Sequence, residues 1–170
     1  EIGSGKGDFA IARCLSNPDR HLLALERDVS IAGLFAKKAV EGDIKNLTIL
    51  PVDFDETLVN LEDLKFENIF LNFSDPWPKK KHAKRRLTFA PRLKAIASLL
   101  EEGGKIIVKT DNDNLYEFTK EQIPEAGLVI LKDYPDYLEL EPDDHMTEYE
   151  RRFRAEGKSI HRLIIAKKGD

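Results

Sequence analysis

Apolar positions along this chain follow two rhythms that take turns, short continuous runs and longer stretches with one apolar side. The runs His21–Glu26, Asn46–Val52, Asn68–Phe73, Lys105–Lys109, Leu128–Tyr134 and Ile160–Ala166 read as buried strands. Between them, Asp8–Ser16 carries Phe9, Ile11, Ala12 and Leu15 at helical spacing, and Ser30–Glu41 does the same with Ile31, Leu34, Phe35 and Ala39. A third helix is predicted from Thr88, with Phe89, Leu93, Ile96, Ala97 and Leu100 on one side and Gly103-Gly104 as its stop. Asn114–Ile123 is the next helix. Ahead of all these, Glu1–Gly7 reads as the end of a strand running into a glycine loop. Strands alternating with helices predict an α/β fold, a doubly wound and mostly parallel sheet, with ligands at the carboxyl ends of the strands.

The alternation breaks at Pro135–Lys158, a polar, acidic stretch between the last two strands in which Thr147–Phe153 is expected to be a short helix. Long ordered excursions inside compact domains are often functional. The 170 residues, 41% hydrophobic and 34% charged, predict a single domain with one core. No apolar run reaches the roughly 20 residues of a membrane span and no leader resembles a signal peptide, so a cytoplasmic protein without membrane contact is expected. Because the sequence opens at Glu1 directly on the glycine loop, it is expected to be part of a longer protein, lacking an N-terminal segment and most of the first strand.

Cys14 is the single cysteine, which rules out an intramolecular disulfide and a cysteine-rich zinc site, and its place on a helix predicts a buried structural thiol. The histidines His21, His82, His145 and His161 show no metal-ligand spacing, and no metal is expected.

Gly3, Gly5 and Gly7 have the spacing G-x-G-x-G, and Asp8 stands where a dinucleotide fingerprint needs its third glycine. An acid at a helix start opposes a pyrophosphate, and Glu1 before the glycines would repel one too. Both acids suit a cationic ligand without phosphate, and S-adenosylmethionine has that chemistry. Glu26 lies 21 residues beyond Gly5, near the spacing at which an acid reaches ribose hydroxyls. Asp53, after the next strand, is placed to accept from an adenine amino group. The plainer reading makes Glu26 and Asp53 solvated strand ends.

Charge then singles out one loop. The chain carries a net charge of −4, yet six of the eight residues Lys79–Arg86 are basic, directly after the strand Asn68–Phe73 and the carboxylate Asp75. Four segments, EIGSGKG, NFSDPWPKKKHAKRR, KTDN and MTEYE, in this order and approximate spacing, resemble the bacterial tRNA (guanine-N7)-methyltransferases over essentially the whole chain. The resemblance implies a class I, Rossmann-like sheet of seven strands with the last antiparallel. It implies methyl transfer from S-adenosylmethionine to N7 of guanine 46 in the tRNA variable loop. By motif, Glu1, Gly3, Gly5, Glu26, Asp53 and Asp75 would bind the cofactor, with Asp75 also catalytic. Lys79, Asp111, Thr147, Glu148, Tyr149 and Glu150 would bind the substrate.

Lys80, Lys81, Lys84, Arg85 and Arg86 are expected on the RNA backbone, with binding that weakens steeply in salt. Each role has a plainer rival. Asp75 can merely cap its loop, and Trp77 can pack it instead of stacking on a base. The basic run can be a solvated face, Asp111 can cap the next helix, and Thr147 with Glu150 matches a capping box. His161 stands where many relatives have an aromatic residue. Two further functions stay open: methylation of an exocyclic amine, because DPWP resembles D-P-P-Y, and a non-catalytic RNA-binding module on the same fold. Monomer and homodimer are both compatible with the sequence.

Overall fold

The computed structural model describes residues 1–170. Its elements are α1 Asp8–Ser16, β1 Leu22–Leu25, α2 Val29–Glu41, β2 Leu47–Leu50, α3 Phe54–Leu61 and β3 Phe66–Asn72. After a 3-10 helix at Lys80–Arg85 come α4 Ala90–Ser98, β4 Leu100–Thr110, α5 Asp113–Glu125, β5 Leu128–Tyr134, α6 Glu148–Ala155 and β6 His161–Lys167.

β1 and β2 pair in parallel, and the remaining strands form a second sheet in the order β3-β4-β6-β5. β3 and β4 are parallel, while β6 runs antiparallel to both β4 and β5, as expected for the last strand. The expected seven-stranded sheet is corrected to a two-stranded and a four-stranded one. The physical reason lies in the seam between them, where Glu1 and Ile2 make the backbone hydrogen bonds to both sheets. Leu25 donates its N–H to Glu1 O at 2.9 Å, and Ile2 donates to Phe70 O at 3.0 Å. Two residues joined on both sides make a single parallel bridge, Ile2 to Leu25, rather than a ladder.

The main core lies between the sheet and its helices, with Leu71, Leu93, Ile96, Ile106, Ile123, Leu163 and Ile165 at its centre. Cys14 is buried, as expected. The inward side of α1 is Phe9, Ala10 and Cys14, so Leu15 faces solvent, and α2 likewise buries Ala32, Phe35 and Ala39 while Leu34 stays exposed. Gly7, in the left-handed region at φ 83°, shows how tightly α1 meets α2. A Cβ there would stand 2.0 Å from the Phe35 ring.

Two elements differ from the hydropathy reading. α3 was not expected, although Phe54, Thr57 and Leu61 give it a buried side and Asp53 caps it through the Asp55 N–H at 2.9 Å. β4 starts at Leu100, five residues before the run KIIVK. Gly103 and Gly104 therefore lie inside the strand at a register shift against β3, and α4 has already ended at Ser98. A Cβ on Gly104 would lie 3.0 Å from the Phe66 carbonyl oxygen, a tight contact that glycine avoids where the strands approach closely. No helix is long and apolar enough to cross a membrane.

The excursion between β5 and β6 has a small core of its own, in which Tyr137, Phe153 and Ile160 pack with Phe73 and Tyr134. Because Phe73 belongs to the loop after β3, this cluster joins the excursion to the basic loop. Both lie at the carboxyl ends of the central strands.

Candidate active site

A cavity of about 850 Å³ opens at those strand ends, walled by the glycine loop, the ends of β1 to β4 and the start of α6. Nine carboxylates and four basic side chains line it. Several of the acids have a cationic partner: Asp8 has Lys38 and Arg151, Asp55 has Arg92, Asp75 has Arg27, and Glu148 has Lys6, the last two in exposed pairs. Glu1, Glu26, Asp28 and Asp53 line the same cavity and form no ion pair among the chain's salt bridges. Carboxyl groups without an ion-pair partner are thus concentrated around the glycine loop and the ends of β1 and β2.

Within this wall each acid is held by a definite contact. Glu26 Oε2 accepts the Gly5 N–H at 2.8 Å and Oε1 accepts the Asp28 N–H at 2.9 Å, which ties the glycine loop to the end of β1. Glu1 Oε1 accepts from Asn72 Nδ2 at 2.9 Å, whereas Glu1 Oε2, Asn72 Oδ1 and Ser74 Oγ are buried without a hydrogen-bond partner. Buried polar atoms left unpaired are costly and rare. Here three of them stand together at the cavity wall. Burial pushes the Glu1 carboxyl up to about 7, against the opposing pull of the α-ammonium charge at Glu1 itself, then of the Asn72 hydrogen bond and the Lys109 charge. The donor set fits S-adenosylmethionine: acceptors without cations for its ammonium and ribose, and no cluster of basic groups for a phosphate. Asp8 departs from the sequence expectation, because Lys38 and Arg151 already occupy it.

The loop after β3 is held in an uncommon backbone shape. Phe73 and Trp77, which flank Asp75, have φ of 52° and 44°, values that non-glycine residues seldom adopt. Arg86 fixes this shape, donating from Nε to Pro76 O at 2.9 Å and from Nη2 to Trp77 O at 3.0 Å while its guanidinium lies over the Phe118 ring. Asp75 faces the cavity and accepts from Arg27 Nη2 at 3.0 Å. Trp77 also lines the cavity, with Arg85 5.0 Å over its ring and His82 edge-on to it.

The structure brings Glu1, Gly3, Gly5, Glu26, Asp53, Asp75, Asp111, Thr147, Glu148 and Tyr149 to one cavity. Arg85 joins them from the 3-10 helix, while Lys79, Lys80, Lys81 and Lys84 are exposed just outside. Asp111 is spared the capping role, since Asn112 caps α5 through the Leu115 N–H at 2.8 Å. Thr147 does cap α6, accepting the Glu150 N–H at 3.0 Å. Two expected site residues lie elsewhere. Arg86 is buried in the loop it braces, and Glu150 is fully buried, with Lys109 Nζ at 2.6 Å and Arg154 on its other oxygen. Their charges are taken up by the fold. His161 is also outside the cavity, stacked on Tyr116 at 4.3 Å and bonded to Asp113 and the Pro135 carbonyl.

Two residues of the cavity, Arg27 and Asn72, and the buried Lys109 behind it escaped the sequence reading. Arg27 pairs with Asp75, Asn72 positions Glu1, and Lys109 gathers the excursion. The available signals were positional: Arg27 follows Glu26 at a strand end, Asn72 opens the segment NFSDPWP, and Lys109 opens KTDN.

The two-sheet α/β domain with an acidic, glycine-floored cavity at its strand ends is matched by a family model that places the chain among the methyltransferases. The family described as "Putative methyltransferase" matches residues 1–163. Among solved structures, precorrin-6y C5,15-methyltransferase from Geobacter metallireducens shares the fold with a TM-score of 0.66, at 16% identity over 98% of this chain and 77% of that one. The tRNA (guanine-N(7)-)-methyltransferase of Limosilactobacillus reuteri is 39% identical over 166 residues, 96% of this chain and 78% of its own length. That of an Exiguobacterium species is 38% identical over 164 residues, 96% of this chain and 76% of its own. The chain belongs to the tRNA (guanine-N7)-methyltransferase family.

Proposed function

We propose that the protein transfers a methyl group from S-adenosylmethionine to N7 of guanine 46 in the variable loop of tRNA, in the cytoplasm. The observation that supports this most is the set of carboxylates without cationic partners around the glycine loop, beside a separate loop of exposed basic side chains. One surface suits a cationic cofactor and the adjoining one suits a polyanion.

S-adenosylmethionine, when bound, supplies an electrophilic methyl group on a sulfonium. Glu1, with its unpaired buried oxygen, is the acceptor for the ammonium end. Gly3 and Gly5 give close access to the backbone, Glu26 takes the ribose hydroxyls and Asp53 the adenine amino group. Guanine N7 offers an in-plane lone pair and carries no proton, so no general base is needed at that atom. Positioning and electrostatics then account for the acceleration. Methylation makes the base cationic, and the carboxylate of Asp75 stabilises that developing charge or holds the base by its amino edge. Asp111 faces the same cavity with its side chain free of a cap, the acceptor for guanine N1–H and the amino group. Lys79, Lys80, Lys81, Lys84 and Arg85 hold phosphates, and Trp77 offers a stacking face.

The test is the kinetics of Asp75→Ala in the full-length protein. Turnover on tRNA should fall by roughly a thousandfold or more, while tRNA affinity stays within about threefold of wild type. Methylation at the wild-type rate would remove Asp75 from the reaction.

A further inference from the structure

Glu150 ends the segment Thr147–Glu150 that the family resemblance assigns to the substrate, yet none of its carboxylate is free. Oε2 accepts from Lys109 Nζ at 2.6 Å, and Oε1 accepts from Arg154 Nε at 3.0 Å and Nη2 at 2.8 Å. Lys109 is occupied as fully. Its three ammonium hydrogens meet Glu150, Asp144 at 3.1 Å and the His145 carbonyl at 2.8 Å, and the side chains of Lys109 and Glu150 are both wholly buried. Lys109 comes from β4, two residues before Asp111, while its partners all come from the excursion.

We propose that Lys109 is a positioning residue for guanine recognition: through its buried pair with Glu150 it sets the place of Thr147, Glu148 and Tyr149 on the cavity wall. The inference rests on the function proposed above. A second connection lies on the surface, where Arg151 pairs with Asp8 and Lys6 with Glu148, tying α6 to the glycine loop. Exposed pairs of that kind contribute little. The buried pair is different, because its charges were withdrawn from water at a cost that apolar side chains would avoid, and the best-attested return for such burial is a fixed register. Here the register fixed is that of α6 relative to Asp111. The rim of the cavity formed by the excursion and the acceptor on β4 are thereby held as one unit. Glu150 acts from beneath that rim and does not itself touch the base.

The experiment compares Lys109→Met, Glu150→Gln and the double variant in the full-length protein. Each single change should raise KM for tRNA and lower kcat, with kcat/KM down roughly tenfold to a hundredfold, while in Glu150→Gln, which leaves the Lys109 charge in place near Glu1, the S-adenosylmethionine Kd by calorimetry stays within about threefold. The double variant should be no worse than the worse single one. Amide exchange should accelerate in α6 and remain slow in β4 and β6, an outcome read without any turnover. Should Lys109→Met fail to fold, Glu150→Gln, which keeps the shape of the side chain, carries the exchange measurement. Multiplying effects in the double variant would give Glu150 a direct role at the base and overturn the proposal, as would unchanged exchange in α6. Absence of guanine methylation by the wild-type enzyme would refute the proposed function, and the exchange result would still decide the anchoring.

Discussion

Glu1 concentrates the chemistry of the glycine-loop side of the cavity in one residue. Its carboxyl is buried beside Asn72, one oxygen has no partner, and burial pushes its pKa from 4.5 up to about 7. A raised carboxyl pKa means that the folded protein holds this proton more tightly than the unfolded chain. Its contribution to stability is therefore fully present below 4.5 and is lost as the pH rises to about 7. A cationic ligand prefers the carboxylate, so S-adenosylmethionine affinity should fall as the pH drops below about 7, approaching tenfold per pH unit, and Glu1→Gln should flatten the profile. Calorimetric titration between pH 5.5 and 8.5, roughly 1.5 units either side of that value, checks it. A profile unaffected by Glu1→Gln would remove the residue from the cofactor site. The acid itself was legible in the sequence because it precedes a glycine loop. Its neighbour Asp8 looked equivalent in one dimension, and only the fold shows Lys38 and Arg151 arriving from 30 and 143 residues away to neutralise it.

At the scale of elements, the loop from Asn72 to Arg86 combines a brace and an exposed basic face that composition cannot separate. Arg86 spends its donors on Pro76 and Trp77, whereas Lys80 and Lys81 stay exposed. Arg86→Ala should destabilise the protein by about 1–3 kcal/mol, from the carbonyls left unpaired. Lys80→Ala and Lys81→Ala should leave stability within about 0.5 kcal/mol. Each should instead weaken tRNA binding and reduce the slope of log affinity against log salt by about one. Denaturant unfolding and binding at several salt concentrations separate the two behaviours; equal effects from all three would contradict the division. Strands and long helices were readable because burial repeats along them. α3 was not, since its buried positions Phe54, Thr57 and Leu61 include a polar residue and follow an acid that reads as a strand end. The glycine pair at 103–104 resembled a helix stop because glycine serves a C-cap and a close strand approach equally well.

Across the whole molecule, function is divided between the ends of strands far apart in sequence. The glycine loop and β1 supply the acidic floor, β3 the loop with Asp75 and the basic face, and β4 both Asp111 and the buried Lys109. The excursion closes the cavity from the other side, and its Glu141 carries a further mark of that docking. The Tyr134 hydroxyl, together with Lys132 and Arg162, holds the Glu141 carboxyl down to about 2. Which residues face the cavity was largely readable from motifs. Which of them are spent on holding it together was not, because Lys109, Arg86 and Glu150 differ from free site residues only in burial and in partners from distant segments.

Methylation of bulk tRNA by the full-length protein, followed by mass spectrometry of the digested nucleosides, tests the proposed reaction most directly. The expected product is 7-methylguanosine mapped to position 46 in the variable loop and absent with Asp75→Ala. N6-methyladenosine, or no methyl transfer at all, would contradict it.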